Sequence, residues 1–291
     1  MSRIEMVEPT TTPHPPIQPL GDSPLHGPPR RLHVVVILGV GPGLGLSIAR
    51  TFSSRGYAVA ILSRSLERLE GWAGELDSIS RSFLLRSGQD REAKDPSPLC
   101  KAFSCDVLDN NSIRDAMRRI SEFWPDRLVG TACYNASVRK RGPFLEQTEI
   151  QVQQGVQASI MGFYTFAQEV LSRIDSHGKG GNLIVTGATS STRGRKDFAG
   201  FAASKSGLRA MVQSVAREYN PKGVHVSHVI VDGLIESQAA KDLFGFSADQ
   251  RFKDGMALRP DEMAKTWLFL AQQQVSGWTF EMDLRPSREH F

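Results

Sequence analysis

The sequence predicts an α/β protein with a doubly wound parallel sheet of about seven strands flanked by helices. Three observations lead to this prediction. Short apolar runs alternate along the chain with longer segments of helical pattern, as in successive βαβ units. The first apolar run, residues 34–38, leads directly into a glycine-rich turn and then into a helical segment. The length of 291 residues suits one such domain with a short additional segment.

The additional segment is the first 30 residues. It is rich in proline, threonine and serine and has no apolar periodicity that a core could bury. We therefore expect a disordered tail at 1–30, with a docking ligand for a proline-binding domain as the alternative. The acids Glu5, Glu8 and Asp22 and the missing apolar stretch argue against a signal or transit peptide. Residues 31–291 then form a single domain.

The predicted strands are short runs rich in apolar and β-branched residues. Segments of helical pattern fill the intervals between the strands. The polar stretch 78–98 has no clear periodicity, and we interpret it as an inserted surface loop. The predicted strands are 34–38, 58–62, 102–105, 130–134, 183–186, 224–230 and 279–283, and the predicted helices are 44–54, 113–124, 150–174, 198–219 and 260–273.

Composition excludes several classes of function. The net charge of +4 is small and the charges are interspersed, which argues against nucleic-acid or membrane binding. Cys100, Cys105 and Cys133 form no C-x-x-C pair, which favours free thiols in a reducing compartment. His225 and His228 are three residues apart on one strand and so face opposite sides, and no metal site is predicted. We expect a soluble, cytoplasmic protein.

The glycine-rich turn reads G-V-G-P-G-L-G, with Gly39, Gly43 and Gly45 in the spacing G-x-x-x-G-x-G. Glycines at a strand-to-helix turn let the backbone approach a pyrophosphate, whose charge the helix N-terminus favours. The alternative is a tight turn with no ligand. After the second strand come Ser63 and Arg64; an arginine there attracts a 2′-phosphate, which favours NADP(H) over NAD(H), unless Arg64 is an ordinary solvated residue.

A second motif lies near the C-terminal half, where Phe201 and Lys205 stand in the run F-A-A-S-K. Together with the glycine turn, this run resembles the short-chain dehydrogenase/reductase family, whose motifs are G-x-x-x-G-x-G and Y-x-x-x-K. The resemblance extends from Leu32 to the C-terminus and implies a Rossmann-type fold that binds NADP(H). This chain departs from the family pattern at the tyrosine, which is Phe201.

The resemblance also implies which residues hold the cofactor. The C-D-V step at 105–107 matches the family's adenine contact, and Y-N-A-S at 134–137 takes the place of N-N-A-G. The run 232–237, after the sixth strand, takes the place of P-G-x-[IV]-x-T, with Asp232 at the proline position. The implied cofactor-binding residues are Gly39, Gly43, Leu44, Gly45, Ser63, Arg64, Asp106, Val107, Asn135, Ala136, Lys205, Ile235 and Ser237.

In the family, catalysis uses a serine, a tyrosine, a lysine and an asparagine, and only Lys205 is plainly retained. Thr189 or Ser190 stands at the serine position, Ser159 at the asparagine position and Phe201 at the tyrosine position. A phenol has a pKa near ~10 that a nearby cation lowers, whereas phenylalanine has no proton to give. Asp197, one helical turn before Phe201, is a candidate replacement, although such a residue is more often solvated; Tyr164 and Asp232 are weaker candidates.

The segment 236–258 corresponds to the family's variable substrate lid and contains Leu243, Phe244, Phe246, Phe252 and Met256. These residues favour an apolar small-molecule substrate, unless they only pack the lid onto the domain. Residues 139–141, R-K-R, follow the fourth strand and could meet an anion or simply form a solvated loop.

Two functions agree with these features. The first is an NADP(H)-dependent oxidoreductase that reduces a carbonyl, iminium or activated alkene on an apolar small molecule by non-standard proton transfer, for example in secondary metabolism. The second is a non-catalytic dinucleotide-binding sensor, scaffold or partner subunit. The family resemblance further implies a homodimer or homotetramer.

Overall fold

The computed structural model describes residues 33–288, and their centre is one parallel sheet of seven strands. The order across the sheet is β3-β2-β1-β4-β5-β6-β9, and a separate two-stranded sheet pairs β7 with β8. The predicted α/β fold is therefore confirmed, whereas the predicted tail at 1–30 lies outside the described residues. The strands are β1 His33–Leu38, β2 Ala58–Ser63, β3 Cys100–Ser104, β4 Leu128–Tyr134, β5 Gly181–Thr186, β6 Val224–Val231, β7 Leu234–Ile235, β8 Ala257–Leu258 and β9 Glu281–Leu284.

Helices cover both faces of the sheet. A π-helical turn, Gln157–Met161, joins α5 to α6, so that 149–177 forms one continuous helical stretch. The helices are α1 Leu44–Ser53, α2 Leu66–Arg86, α3 Asp90–Ala93, α4 Asn110–Phe123, α5 Glu149–Val156, α6 Gly162–His177, α7 Ala199–Tyr219, α8 Gln238–Phe244, α9 Phe246–Lys253 and α10 Pro260–Ala271.

The core has two halves, because successive side chains of a strand point to opposite faces of the sheet. Val34, Val36 and Leu38 of β1 pack with α4, α6 and α7, whereas Val35 and Ile37 pack with α1, α2 and α10. Every residue of β1 is buried. A strand buried on both faces has no solvent-facing side, which is why 34–38 is an unbroken apolar run after His33.

The sheet order sets the position of a ligand site. From β1 the chain moves outward to β2 and β3, and then returns to place β4 on the other side of β1. The chain that follows β1 therefore leads to one side of the sheet and the chain that follows β4 leads to the other. A crevice remains between them at the carboxyl ends of these two strands. In open α/β sheets, ligands bind at this switch point.

The interpretation of 78–98 as a loop is wrong over its first part, because α2 continues to Arg86 and α3 follows. The buried face of α2 includes Ser80, whose hydroxyl donates to the Tyr57 carbonyl at 3.0 Å. A serine at a buried position interrupts the apolar periodicity that would have indicated the helix. Arg81 then holds the following loop by donating to the carbonyl oxygens of Asp95 and Ser97 at 2.6 and 2.9 Å.

Among residues 33–288, none of the helices has the length and apolar character needed to cross a bilayer.

Candidate functional site

A cavity of about 800 Å³ opens at the carboxyl ends of β1, β4 and β5. The glycine turn forms one side, and the segments after β4, β5 and β6 form the others. Of the predicted site residues, the wall contains Gly39, Gly43, Leu44, Gly45, Asn135, Thr189, Ser190, Phe201, Lys205, Ile235 and Ser237.

The glycines of the turn divide into two groups. Gly39 has a φ of +98°, and a Cβ there would lie 2.5 Å from the Ala136 nitrogen; a Cβ on Gly45 would lie 2.5 Å from the Gly39 oxygen. These two positions need glycine because backbone segments meet there. A Cβ on Gly41 would meet nothing within 4 Å, and one on Gly43 would meet only the Ser237 Cβ at 4.0 Å. The turn is therefore closed on its protein side and open on its cavity side.

The open side of the turn fits a pyrophosphate. The N-terminus of α1 has no side-chain cap and no acidic residue in its first turn, so its N–H groups and positive dipole end face the cavity without a competing side chain. Such an end is suited to a phosphate group. The residues of this chain thus suit a dinucleotide at Gly41, Gly43, Leu44 and Gly45.

Asn135 holds the two halves of the cavity together. Its Nδ2 donates to the Gly39 carbonyl at 3.0 Å, and its Oδ1 accepts from the Thr186 hydroxyl at 2.9 Å. Its backbone N–H donates to the Leu38 carbonyl at 2.8 Å. One side chain therefore fixes the glycine turn against the ends of β4 and β5, and both ends of its amide are used in doing so.

Lys205 reaches the cavity from α7 and is only 2% exposed. Its Nζ donates to the Thr186 carbonyl at 3.0 Å. Burial lowers the pKa of Lys205 to about 8, because an ammonium group loses hydration in this position. The lysine is thus fixed next to the residue that Asn135 also holds.

Phe201 lies one turn before Lys205 on the same helix and forms part of the cavity wall. Its ring lies 6.4 Å from the ring of Phe198, measured between centroids. The position where the family carries a phenol is thus occupied by an aromatic surface with no exchangeable proton.

Thr189 and Ser190 both line the cavity, in a 3₁₀ turn after β5. The Thr189 hydroxyl donates to Asp232 Oδ1 at 2.5 Å. Asp232 is 2% exposed and also forms ion pairs with Arg193 at 3.1 Å and Arg285 at 2.8 Å. Asp232 therefore anchors the 3₁₀ turn behind the cavity, a structural position that its place in the sequence did not indicate.

Two of the predicted catalytic residues lie outside the cavity wall. Ser159 is fully buried in the π-helical turn, and its hydroxyl has no hydrogen-bond partner among residues 33–288. Asp197 adopts a left-handed φ of 70°, and its carboxylate faces Arg141 at 3.4 Å. Its carbonyl accepts from the Gly142 N–H at 3.0 Å, so Asp197 joins the loop after β4 to the start of α7.

The residues expected at the adenosine end also lie outside the cavity wall. Arg64 is exposed and Ser63 is partly buried at the end of β2. Asp106 accepts the Leu108 N–H at 3.0 Å through Oδ1. Val107 packs against Gly162: a Cβ on that glycine would lie 2.8 Å from Val107 Cγ2. Ala136 is buried against the glycine turn.

The predicted lid, 236–258, follows β7. Ile235 lines the cavity, and Ser237 caps α8 by accepting the Ala240 N–H at 3.2 Å. Of the predicted apolar lid residues, Phe252 and Met256 are partly buried. The side chains of Leu243, Phe244 and Phe246 fall outside the described part of the chain.

A buried histidine lies behind the cavity wall. His228 Nδ1 lies 2.9 Å from Glu281 Oε2, and a Cβ on Gly187 would lie 2.4 Å from its Nε2. Burial lowers the pKa of His228. Gly187 lines the cavity, so this glycine is where the backbone makes room for the imidazole. Sequence spacing does not indicate the contact between Gly187 and His228, because Gly187 follows β5 and His228 lies on β6.

Comparisons with known proteins agree with this site and fold. A profile of the short chain dehydrogenase family matches residues 33–245. The 3-oxoacyl-[acyl-carrier-protein] reductase MabA of Mycobacterium tuberculosis is 26% identical over 258 residues, which cover 86% of this chain and 89% of MabA. A probable 2,4-dienoyl-CoA reductase of Caenorhabditis elegans is 25% identical over 89% of this chain and 81% of its own length.

A solved structure gives the same result. The crystal structure of a short-chain dehydrogenase from Rhodopseudomonas palustris superposes with a TM-score of 0.68 at 27% identity and covers 89% of this chain and 100% of its own. The family profile matches more than half of the sequence, and the structural match includes the seven-stranded sheet and its helices. The chain therefore belongs to the short-chain dehydrogenase family of oxidoreductases.

Proposed function

We propose that the protein is an NADP(H)-dependent oxidoreductase whose acceptor needs no phenolic proton donor. The observation that carries this proposal is the presence, in one cavity, of a glycine turn that fits the cofactor and of Phe201 at the tyrosine position. An iminium, a conjugated alkene or another activated acceptor with an apolar reacting part meets this requirement. Hydride addition to such a group needs little proton transfer in the same step, unlike addition to a simple ketone.

The cofactor's nicotinamide would supply the hydride. The glycine turn and the N-terminus of α1 would hold the pyrophosphate, and Lys205 would reach the adjacent ribose. Ile235 and Ser237 line the same cavity on the lid side. Arg64 forms no ion pair with any residue in 33–288, so its guanidinium is available to a 2′-phosphate, which favours NADP(H) over NAD(H).

Burial brings the pKa of Lys205 in the cavity wall down to about 8. With a pKa of about 8, it is a mixture of charged and neutral forms slightly above neutral pH. Its ammonium form can stabilise negative charge that develops on the acceptor after hydride addition. A slow protonation from solvent can then complete the reaction without a tyrosine.

A second function is a dinucleotide-binding protein with no turnover, acting as a sensor, scaffold or partner subunit. Three features favour it. Phe201 cannot give a proton, the Thr189 hydroxyl is already donated to Asp232, and Ser159 is enclosed away from the cavity. Each of these leaves the cofactor side of the cavity unchanged.

Titration of the purified protein with NADPH and NADH separates these functions. We expect NADPH to bind at least about tenfold more tightly than NADH. Arg64→Asp should remove most of this preference by weakening the binding of NADPH alone; equal weakening of the binding of both cofactors would contradict the NADP(H) assignment.

A screen of ketone, iminium and enone acceptors then measures NADPH oxidation. Tight binding with no turnover on any acceptor would favour the non-catalytic function.

We also propose a cytoplasmic homodimer or homotetramer. Ile150, Met161 and Tyr164 lie on the continuous stretch from α5 to α6 and are all exposed. Exposed apolar side chains grouped on one element are typical of an interface between subunits. Cys100, Cys105 and Cys133 are free and buried, which suits a reducing compartment.

A further inference from the structure

Part of the cavity wall carries five basic side chains. Three separate segments supply them: the loop after β4, the loop before α7, and α9 of the lid. Among the described residues that line the cavity, none is Asp or Glu. The basic side chains in this part of the wall are Arg139, Lys140, Arg141, Arg195 and Arg251, which we call the cationic rim.

Most of the cationic rim has no counter-charge from the part of the chain that the structure describes. Arg141 lies 3.4 Å from the Asp197 carboxylate. The other four rim residues form no ion pair with a carboxylate in residues 33–288, although basic residues elsewhere are paired, as in Arg50 with Glu75 at 2.9 Å. The rim residues reach solvent at the cavity mouth, although partial burial and the neighbouring Arg141 lower the pKa of Arg139.

Aromatic surface lies directly beneath the rim. The guanidinium groups of Arg139 and Arg141 lie 5.1 and 5.8 Å from the centroid of the Phe198 ring. These distances are within the range of cation–π contacts, which hold a guanidinium plane in place. Phe198 in turn neighbours Phe201. The wall thus passes from an apolar floor at the two phenylalanines to arginines at the mouth.

The rim is separate from the residues that suit the cofactor. The glycine turn contacts Asn135 and Ala136 and faces Ser237, whereas Arg139 and Arg141 of the rim lie against the Phe198 ring. Several like charges around one cavity create a positive potential that attracts an anion. Guanidinium groups are suited to phosphate and carboxylate, because they donate two parallel hydrogen bonds.

We propose that the substrate is an amphiphilic anion, with its phosphate or carboxylate held by the cationic rim and its apolar reacting part against Phe198 and Phe201. This inference rests on the proposed function, because it assigns the substrate of the same cavity. It replaces a simple apolar substrate with one that has an apolar end and a charged end.

Isothermal titration of the full-length, NADPH-saturated protein with octyl phosphate, octanoate and 1-octanol tests the proposal. These probes share one alkyl chain and differ in charge. We expect at least one of the two anions to bind roughly tenfold more tightly than the alcohol, and the better anion identifies the charged group. This preference should shrink between 50 and 300 mM NaCl, because salt screens charges at an exposed rim.

Variants assign the effect to the rim. Arg195→Glu should weaken the better anion roughly tenfold and leave 1-octanol unchanged. Lys196→Glu is the matched control, since Lys196 is the next residue, is also exposed and does not line the cavity. Arg139→Gln provides a milder test at a second position of the rim.

Equal affinity for the three probes would overturn the inference, and so would equal losses of anion affinity in Arg195→Glu and Lys196→Glu. A loss of NADPH affinity in Arg195→Glu would also overturn it, because it would assign the rim to the cofactor. Turnover is measured separately with the acceptor screen. Anion binding without turnover on any acceptor would refute the oxidoreductase proposal while supporting the rim, and turnover without anion preference would do the reverse.

Discussion

Lys205 has an environment that opposes its own charge. It is 2% exposed, its Nζ donates to one backbone carbonyl, and burial lowers its pKa to about 8. In the unfolded chain a lysine has a pKa near ~10.4, so folding releases protons from this group between about pH 8 and 10.5. Below pH 8 the buried ammonium group therefore lowers the free energy of unfolding. The same ammonium group places a positive charge in the cavity wall.

The pH dependence of unfolding tests this account of Lys205. Because the unfolded state binds more protons between pH 8 and 10.5, the wild-type protein should gain stability as the pH rises through this window. Lys205→Met removes the titrating group. The unfolding free energy of wild type relative to Lys205→Met should rise by about 3 kcal/mol between pH 7 and 10.5, measured by urea denaturation. A constant difference would show that Lys205 has an ordinary pKa.

Phe201 gives a second prediction at the scale of one residue. Phe201→Tyr places a phenol in the cavity wall, one helical turn from the Lys205 ammonium, which lowers a phenol's pKa. We expect reduction of simple ketones to rise at least about tenfold, since a placed general acid contributes ~10²–10⁴-fold. Phe198→Tyr is the control, because it adds a hydroxyl to the neighbouring ring. Equal ketone rates in the two variants would contradict the prediction.

At the scale of elements, Asp232 is the junction between β6, the 3₁₀ turn after β5 and the segment after β9. It accepts from Thr189 and pairs with Arg193 and Arg285, and its own N–H donates to the Leu284 carbonyl at 2.9 Å. Thr189 and Ser190, which face the cavity, are therefore held from behind by one buried carboxylate. The arrangement shapes the cavity wall through a contact that lies outside it.

Removal of this carboxylate should destabilise the protein strongly. Asp232→Ala removes a 2%-exposed carboxylate that accepts from Thr189, Arg193 and Arg285, and we expect a loss of about 3 kcal/mol in the free energy of unfolding. Asp283→Ala is the matched control: its carboxylate also meets Arg285, at 3.0 Å, but its side chain is 43% exposed. That variant should lose under about 1 kcal/mol. Equal losses in urea denaturation would show that Asp232 is no more than a surface partner.

The elements differ in how far the sequence predicts them. The predicted strands overlap all seven strands of the main sheet, and the signal is strongest in β1 and β2, where nearly every residue is apolar and buried. The end of α2 was missed because Ser80 occupies a buried position on it. The contacts of Asp232 and His228 join residues far apart in the chain, and spacing within one segment gives no information about such pairs.

At the scale of the whole molecule, the fold gathers the ends of β1, β4, β5 and β6 around one cavity, with cofactor and substrate sides on different loops. This explains why the motif at each loop could be recognised separately. The positions of Ser159 and Asp197 outside the wall could not be predicted, because they depend on a π-helical turn and on a left-handed residue. Neither feature has a marked sequence pattern here.

The surface of the molecule carries the last prediction, on subunit assembly. Ile150 on α5 is 66% exposed and shares the continuous stretch from α5 to α6 with Met161 and Tyr164, so we expect this face to be buried against a second copy of the chain. Ile150→Glu should release monomers, since an unpaired carboxylate in an apolar interface costs several kcal/mol. Light scattering coupled to size-exclusion chromatography measures the mass in solution.

Leu85→Glu is the matched control, because Leu85 is 51% exposed on α2, and the mass of this variant should equal that of wild type. A monomeric wild-type protein, or an Ile150→Glu variant that keeps the wild-type mass, would show that this face does not assemble the subunits.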